Sequence, residues 1–389
     1  MTLRPSLNEI KKECSSFHKF FQTLVQAGKC RDGLRATANQ IEKKFIVQKI
    51  PFEKIKTKNG KSFLVKINAN KSTRPFILNA HYDRAPIDGA WDRPPFSGTI
   101  TKSRIFGRGC ADDIAGIVIL FVILNILKKN IKTLTKSVAF HFVLGDEDTG
   151  EGTKALALRS KKPDGVVIVD GTWPSQIIIG HLGQLWIDLK IKGKPVAACS
   201  MKRGSNPLSQ VPKLFNLLKK WNRQKISSNR RPSKQNVPSS FLNIGCVQSG
   251  VWAGSVPADV TIKIQIGFSP PLTCTQVFDE IKELVKRKIK NAYISKGKLC
   301  RENFRSNSSC PLLESLKKII RENCKTDPSC RIVSGHSDMG FYKCNNVIMY
   351  GPGAGWNAHG MNESYKLSDM PLVINNLLEL ITGVNKRIK

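Results

Sequence analysis

Acidic side chains are scarce in this chain. Its 389 residues include 29 Asp and Glu against 63 Lys and Arg, for a formal net charge of +34. Such a balance favours contact with anions. The basic residues, however, come as scattered pairs such as Lys11-Lys12, Lys43-Lys44 and Lys219-Lys220, with no recognisable nucleic-acid module. A solvated basic surface is therefore expected, and nucleic acid is not an expected partner. CxxC pairs are missing too. The eleven cysteines are an odd number spread from Cys14 to Cys344. That excludes a complete intramolecular disulfide framework and a zinc ribbon, and suits reduced, mostly structural thiols. No apolar run is long enough for a membrane span: the longest, Ala115 to Leu127, is interrupted by Asn125 and reads as a buried helix. The N-terminal stretch to Lys29 has no continuous apolar segment and reads as one amphipathic helix rather than a secretory signal. A cytoplasmic protein without membrane contact is the expectation. No internal repeat of fixed period is visible.

What is present is ordinary for a globular protein: 40% hydrophobic and 24% charged residues, at a length that suggests two domains. Short apolar runs ending in glycine or polar residues recur as PFILNA (75–80), SVAFHFVLG (137–145), GVVIVDG (165–171) and NVIMYGPG (346–353). Helical patterns separate several of them, at 112–129 and 310–323. The alternation predicts an α/β domain with a mostly parallel, doubly covered sheet. Residues 183–298 differ in character. Strand-like GQLWIDLKIKG, helical PLSQVPKLFNLLKKWNRQ, strand-like ADVTIKIQIGF and helical CTQVFDEIKELVKRKI predict a smaller α+β domain inserted into the larger one. The larger domain is then formed by 1–182 and 299–389, and the basic loop at 226–240 is a solvated connection.

In open α/β sheets ligands bind at the carboxyl ends of strands. After PFILNA comes His81-Tyr82-Asp83, after SVAFHFVLG comes Asp146-Glu147-Asp148, after GVVIV comes Asp170, and after NVIMYGPG come His359 and Glu363. In a chain so poor in acids, a histidine or carboxylate at each of these strand ends resembles a ligand list for divalent cations. A cation would also favour the adjacent Asp112 and Asp113, which alone would read as a cap for the helix that follows. Asp83, two residues beyond His81, can accept a hydrogen bond from the imidazole and orient it. His18, His141 and His181 read as structural.

Taken in order, the motifs resemble the di-zinc aminoacylase and exopeptidase family that includes acetylornithine deacetylase, succinyl-diaminopimelate desuccinylase, glutamate carboxypeptidase and carnosinase. NAHYDRAP is similar to its first histidine motif, WDRPPFSGTITKSRIFGRGCADDIAG to its W-x-x-x-PF…GRG-x-x-D segment, DEDTGEGTKAL to its DEE-x-G motif, and GHSDMGFY with GPG…AHGMNE to its C-terminal pair. The resemblance implies two zinc ions, with cobalt or manganese as substitutes, bridged by Asp112. His81 and Asp170 would complete one site, and Asp148 and His359 the other. Asp83 would orient His81, and Glu147 would be the general base for cleaving the amide bond of an N-acyl amino acid or short peptide. It also implies a cis Asp112-Asp113 peptide, and a lid through which the chain could form a homodimer. Departures fall at Asp148, where the family has Glu, at Ile114-Ala115 in place of Lys-Gly, and at Ala197, Ser255 and Gly340, where it has His, Asn and Arg. Those substitutions raise an alternative: a catalytically impaired relative that acts as a metal- or ligand-binding protein.

Overall fold

The computed structural model of the chain describes residues 5–67, 74–131, 134, 136–160, 162–171, 173–228, 237–307, 309–353 and 357–383. The chain divides into two compact units. One comprises Met1–Ile179, Ser306–Arg331 and Ser337–Lys389, and the other Gly180–Arg305 with Ile332–His336. The second unit thus also takes in Gly180–Leu182, Leu299–Arg305 and Ile332–His336, which the sequence pattern assigns to the larger domain.

In chain order the strands are β1 (Glu53–Lys56), β2 (Lys61–Ile67), β3 (Phe76–His81), β4 (Thr99–Ile100), β5 (Arg104–Phe106), β6 (Val138–Val143), β7 (Gly165–Ile168), β8 (Gln176–His181), β9 (Gly183–Lys192), β10 (Phe241–Ser249), β11 (Asp259–Phe268), β12 (Ala292–Arg301), β13 (Phe304–Arg305), β14 (Ser329–Val333), β15 (Val347–Met349) and β16 (Ser364–Lys366). The helices are α1 (Leu7–Ser16), α2 (His18–Ala27), α3 (Gly33–Val47), α4 (Ala115–Lys129), α5 (Glu151–Arg159), α6 (Val211–Ser228), α7 (Cys274–Lys288), α8 (Pro311–Cys324) and α9 (Met370–Thr382).

The first unit is α/β. Its large sheet runs β1-β2-β6-β3-β7-β15-β8. The central pairs β6/β3, β3/β7 and β7/β15 are parallel, and the flanking pairs are antiparallel. Parallel strands are covered on both faces, which is why every residue of β3, β6 and β7 is buried and most are apolar, Asn79, His81 and His141 being the polar exceptions. The N-terminal segment folds as two helices rather than one. The chain turns at Phe17, whose buried ring packs near Phe20 and Phe121. The apolar run forms α4, and a wide turn at Cys110–Ile114, with non-helical backbone at Asp112 and Asp113, leads into it. Cys110–Lys129 is long and apolar enough to cross a membrane, but 89% of its apolar window is buried inside the fold.

The second unit holds a four-stranded antiparallel sheet, β10-β11-β9-β12. The inward residues Leu185, Ile187, Leu189 and Ile191 of β9 and Val260, Ile262, Ile264 and Ile266 of β11 form a core with Leu214 and Leu218 of α6 and Val277, Ile281 and Val285 of α7. Only β9 and β11 were legible as strands. β10 breaks its alternation at a register shift between Ile244 and Cys246, and polar β12 is bulged between Lys296 and Cys300. Most of the basic loop, 229–236, lies outside the described residues.

Candidate metal centre

The strand ends of the first unit converge on one carboxylate. Asp112 lies in the wide turn before α4, and its preceding glycines make that turn possible. Gly107 and Gly109 have φ of 143° and 79°, and a Cβ at Gly109 would meet the Arg84 side chain at 2.5 Å. The peptide between Asp112 and Asp113 is cis, as the resemblance implies. The two aspartates then diverge. Asp113 is fully buried: one carboxylate oxygen accepts the N–H of Gly116 in the first turn of α4, and the other accepts the N–H of His81 at the end of β3, each at 3.1 Å. Asp113 therefore caps the helix and ties it to the sheet, while Asp112 is left to face the site.

Asp112 Oδ1 is 3.0 Å from Nε2 of His81, and its Oδ2 is 3.0 Å from Nε2 of His359. Asp170 Oδ2, beyond β7, is 3.9 Å from His81 Nε2, and Glu147 Oε2 is 3.1 Å from His359 Nε2. Two triads result, His81–Asp112–Asp170 and Asp112–Glu147–His359, each with donor atoms within 4.8 Å of one another. Asp148 is not in the second triad. It is half-buried, and one of its oxygens accepts the N–H of the next residue, Thr149. His81 Nδ1 is 3.5 Å from Asp83, longer than a direct hydrogen bond. The Asp83 carboxylate instead accepts the N–H groups of Gly145 (2.7 Å) and Glu147 (3.1 Å). It fixes the loop that presents Glu147.

The electrostatics are those of a site that requires cationic charge. Burial works to raise the Asp112 pKa, but hydrogen bonds from His359 and His81 hold it below the usual carboxylate range. Hydrogen bonds to Asp112 and then Glu147 push His359 up to about 11. Burial, then the Asp112 charge, raises Asp170. Oε1 of Glu147 and Oδ1 of Asp170 are buried with no hydrogen-bond partner. Unpaired buried carboxylate oxygens are costly, and a coordinated cation satisfies them.

A clamp that the sequence reading passed over holds the centre together. The Glu363 carboxylate accepts Nη1 of Arg108 (2.9 Å) and the N–H groups of Gly109 (3.0 Å), Ala111 (3.0 Å) and Asp112 (3.3 Å). Arg108 Nη2 donates to the carbonyl of His359 at 3.0 Å. One buried ion pair thus joins the Asp112 turn to the His359 loop. The strand-end carboxylate and the GRG arginine were both visible in the sequence, but their pairing was not.

The remaining histidines fall outside the centre. His141 is buried in β6 and hydrogen-bonded to Tyr342 Oη (2.8 Å) and Ser160 Oγ (3.2 Å), and His181 contacts the Leu182 carbonyl. Burial, then the Lys66 charge, lowers His141 to about 3. Its folded pKa lies below its unfolded value of about 6.5, so its contribution is complete above pH ~6.5 and is lost as pH falls from there toward 3. Metal-free protein carrying His141→Gln should lose less stability between pH 7 and pH 5, by on the order of 2 kcal/mol relative to the parent chain. Urea unfolding at both pH values measures this, and parallel pH dependences would refute it.

A buried imidazole, His81, an exposed one, His359, and carboxylates gathered at the strand ends of a parallel sheet make a candidate metal site, and with the family match that follows they mark a metal-dependent hydrolase of the metallopeptidase type. The chain belongs to Peptidase family M20/M25/M40, whose profile matches residues 77–383. It is 24% identical over 355 residues to a probable carboxypeptidase of Aspergillus oryzae, covering 85% of this chain and 77% of that protein. It is 25% identical over 353 residues to an uncharacterised metallohydrolase of Methanocaldococcus jannaschii, covering 82% and 83%. Its fold is shared with an M20 family metallo-carboxypeptidase of Sulfolobus solfataricus (TM-score 0.77, 20% identity, 95% of this chain and 98% of that one). A dipeptidase of Saccharomyces cerevisiae shares it as well (TM-score 0.79, 15% identity, 97% and 98%).

Proposed function

We propose that this chain cleaves the amide bond of an N-acyl amino acid or a short peptide at a centre of two divalent cations, zinc being the natural choice for mixed imidazole and carboxylate donors. The observation that carries the reading is Asp112, whose two oxygens face His81 and His359 at 3.0 Å each. His81, Asp112 and Asp170 would hold one ion. Asp112, His359 and the acidic loop would hold the other, with Asp148 as the third ligand if Glu147 is the base. When bound, the cations acidify water and polarise the scissile carbonyl.

The chain's own residues do the rest. Glu147 takes the proton from the attacking water and delivers it to the leaving nitrogen, a task suited to a carboxylate with one oxygen unpartnered. Asp83 keeps that carboxylate in place through the Gly145 and Glu147 N–H groups. Relatives named carboxypeptidase and succinyl-diaminopimelate desuccinylase support both the peptide and the N-acyl form of the substrate. A panel of dipeptides and N-acyl amino acids, assayed with zinc and again after chelation, tests the reading. Turnover that chelator abolishes and zinc restores is expected, and turnover indifferent to chelator would refute it.

A second reading, a slow enzyme that chiefly binds its ligand, is favoured by one observation. Ala197 and Ser255, where the resemblance expects a histidine and an asparagine, form a β-bridge with each other in the second unit. Loss of one oxyanion donor costs on the order of 10²-fold in rate or more. Efficient turnover of any panel member excludes this reading. A homodimer through the second unit belongs to the main proposal, and sedimentation tests it: a single monomeric species at working concentration would count against it.

A further inference from the structure

Two cysteines of the second unit, Cys274 and Cys300, are neighbours across α7 and β12, and the proposed reaction uses neither. Cys274 is the first residue of α7, behind a capping box formed by Thr273 and Gln276. It is 1% exposed, and its Sγ donates to the carbonyls of Arg301 (3.5 Å) and Gln184 (3.6 Å). Cys300, the neighbour of Arg301, stands opposite Leu185 of β9 in the sheet register. Paired residues of an antiparallel ladder share a face. Leu185 belongs to the core beneath α6 and α7, so Cys300 lies on the α7 side of the sheet, where the Cys274 thiol reaches the carbonyl of its neighbour Arg301. Cys300 is exposed to solvent whereas Cys274 is not.

The surroundings favour a thiolate on the exposed member. The neighbouring Cys274 is the leading influence and Lys296 a further one. Against the opposing effect of burial, they bring the Cys300 thiol down to about 7. Lys296 is placed at the first turn of α7 by a 3.4 Å contact between its Nζ and Thr275 Oγ1. The Cys274 thiol is pushed up, by the neighbouring Cys300 and then by burial. An exposed thiolate beside a protonated, buried thiol is the pairing of an attacking and a resolving cysteine.

We propose that Cys274 and Cys300 are a reversible redox site, closing to a disulfide when the chain meets hydrogen peroxide or another hydroperoxide, and fastening the first turn of α7 to β12. Cys300 sulfur attacks one peroxide oxygen, the O–O bond breaks and hydroxide leaves, giving a sulfenic acid. Cys274 sulfur then attacks Cys300 sulfur. The S–S bond forms, the S–O bond breaks and water leaves with the Cys274 proton. Two thiols are oxidised and one peroxide is reduced to two waters.

The test uses the reduced, full-length, metal-loaded chain treated with hydrogen peroxide, then alkylated, digested with trypsin and read by mass spectrometry. The tryptic peptides 264–282 and 299–301 should appear joined before the exposed Cys30 and Cys199 are modified, and dithiothreitol should separate them. In Cys274→Ser, Cys300 should proceed to sulfinic acid, because no resolving thiol remains. Alkylation of Cys300 by iodoacetamide should rise with an apparent pKa near 7. The proposal is overturned if wild-type Cys300 reaches sulfinic acid while Cys274 stays alkylatable, or if Cys300 reacts no faster than Cys30.

Discussion

Glu147→Gln should lower kcat by at least ~10²-fold and up to ~10⁴-fold, the range a positioned general base contributes, while the chain keeps its full complement of metal. Gln is nearly isosteric with Glu and can still receive the His359 contact through its amide oxygen, but it cannot carry the proton from water to the leaving nitrogen. Glu147 Oε2 lies 3.1 Å from His359 Nε2, so the residue is placed either to move the proton or to coordinate. The variant separates these roles. Metal content unchanged with turnover lost identifies a base. Metal lost along with turnover identifies a ligand and shifts the proton-transfer role elsewhere in the acidic loop. Undiminished turnover refutes both. Asp148→Asn is the complement: it should lower metal content if Asp148 is the ligand.

The second large effect is on stability. Glu363→Gln should destabilise the first unit by about 3–5 kcal/mol, the cost of breaking a buried ion pair from one side. Glu363 and Arg108 are each 1% exposed. The glutamate's two oxygens accept one guanidinium N–H and three backbone N–H groups. An amide can supply only one acceptor oxygen, and its NH₂ would face other donors. The same change should weaken metal retention, since the clamp positions the Asp112 turn and, through Arg108, the His359 loop. Thermal denaturation and metal competition read the two effects separately. A melting midpoint equal to the parent's would show that the clamp contributes little.

The fold was legible where physics leaves a one-dimensional trace. Parallel strands buried on both faces are mostly apolar runs, and β3, β6, β7 and β15 could be read directly, with a functional group after each. In the second unit, regular alternation revealed β9 and β11. β10 and β12 were lost because bulges and solvent-facing polar residues erase that signal. At the centre, the sequence pointed to His81, Asp112, Asp170 and His359, which the structure brings together.

What it could not give was the direction of short side chains within the loops. Whether Glu147 or Asp148 turns toward His359, and whether Asp83 serves the imidazole or the neighbouring N–H groups, depends on local loop conformation rather than residue type. The Arg108–Glu363 clamp spans 255 positions, a separation at which neither periodicity nor spacing carries information.

The central claim is that Asp112 is shared by two cations, and the metal content of the purified protein tests it most directly. Elemental mass spectrometry after zinc reconstitution and removal of loose metal should give two equivalents per chain, and Asp112→Ala should retain neither. One tightly bound equivalent, or two equivalents that survive Asp112→Ala, would contradict the shared-carboxylate centre.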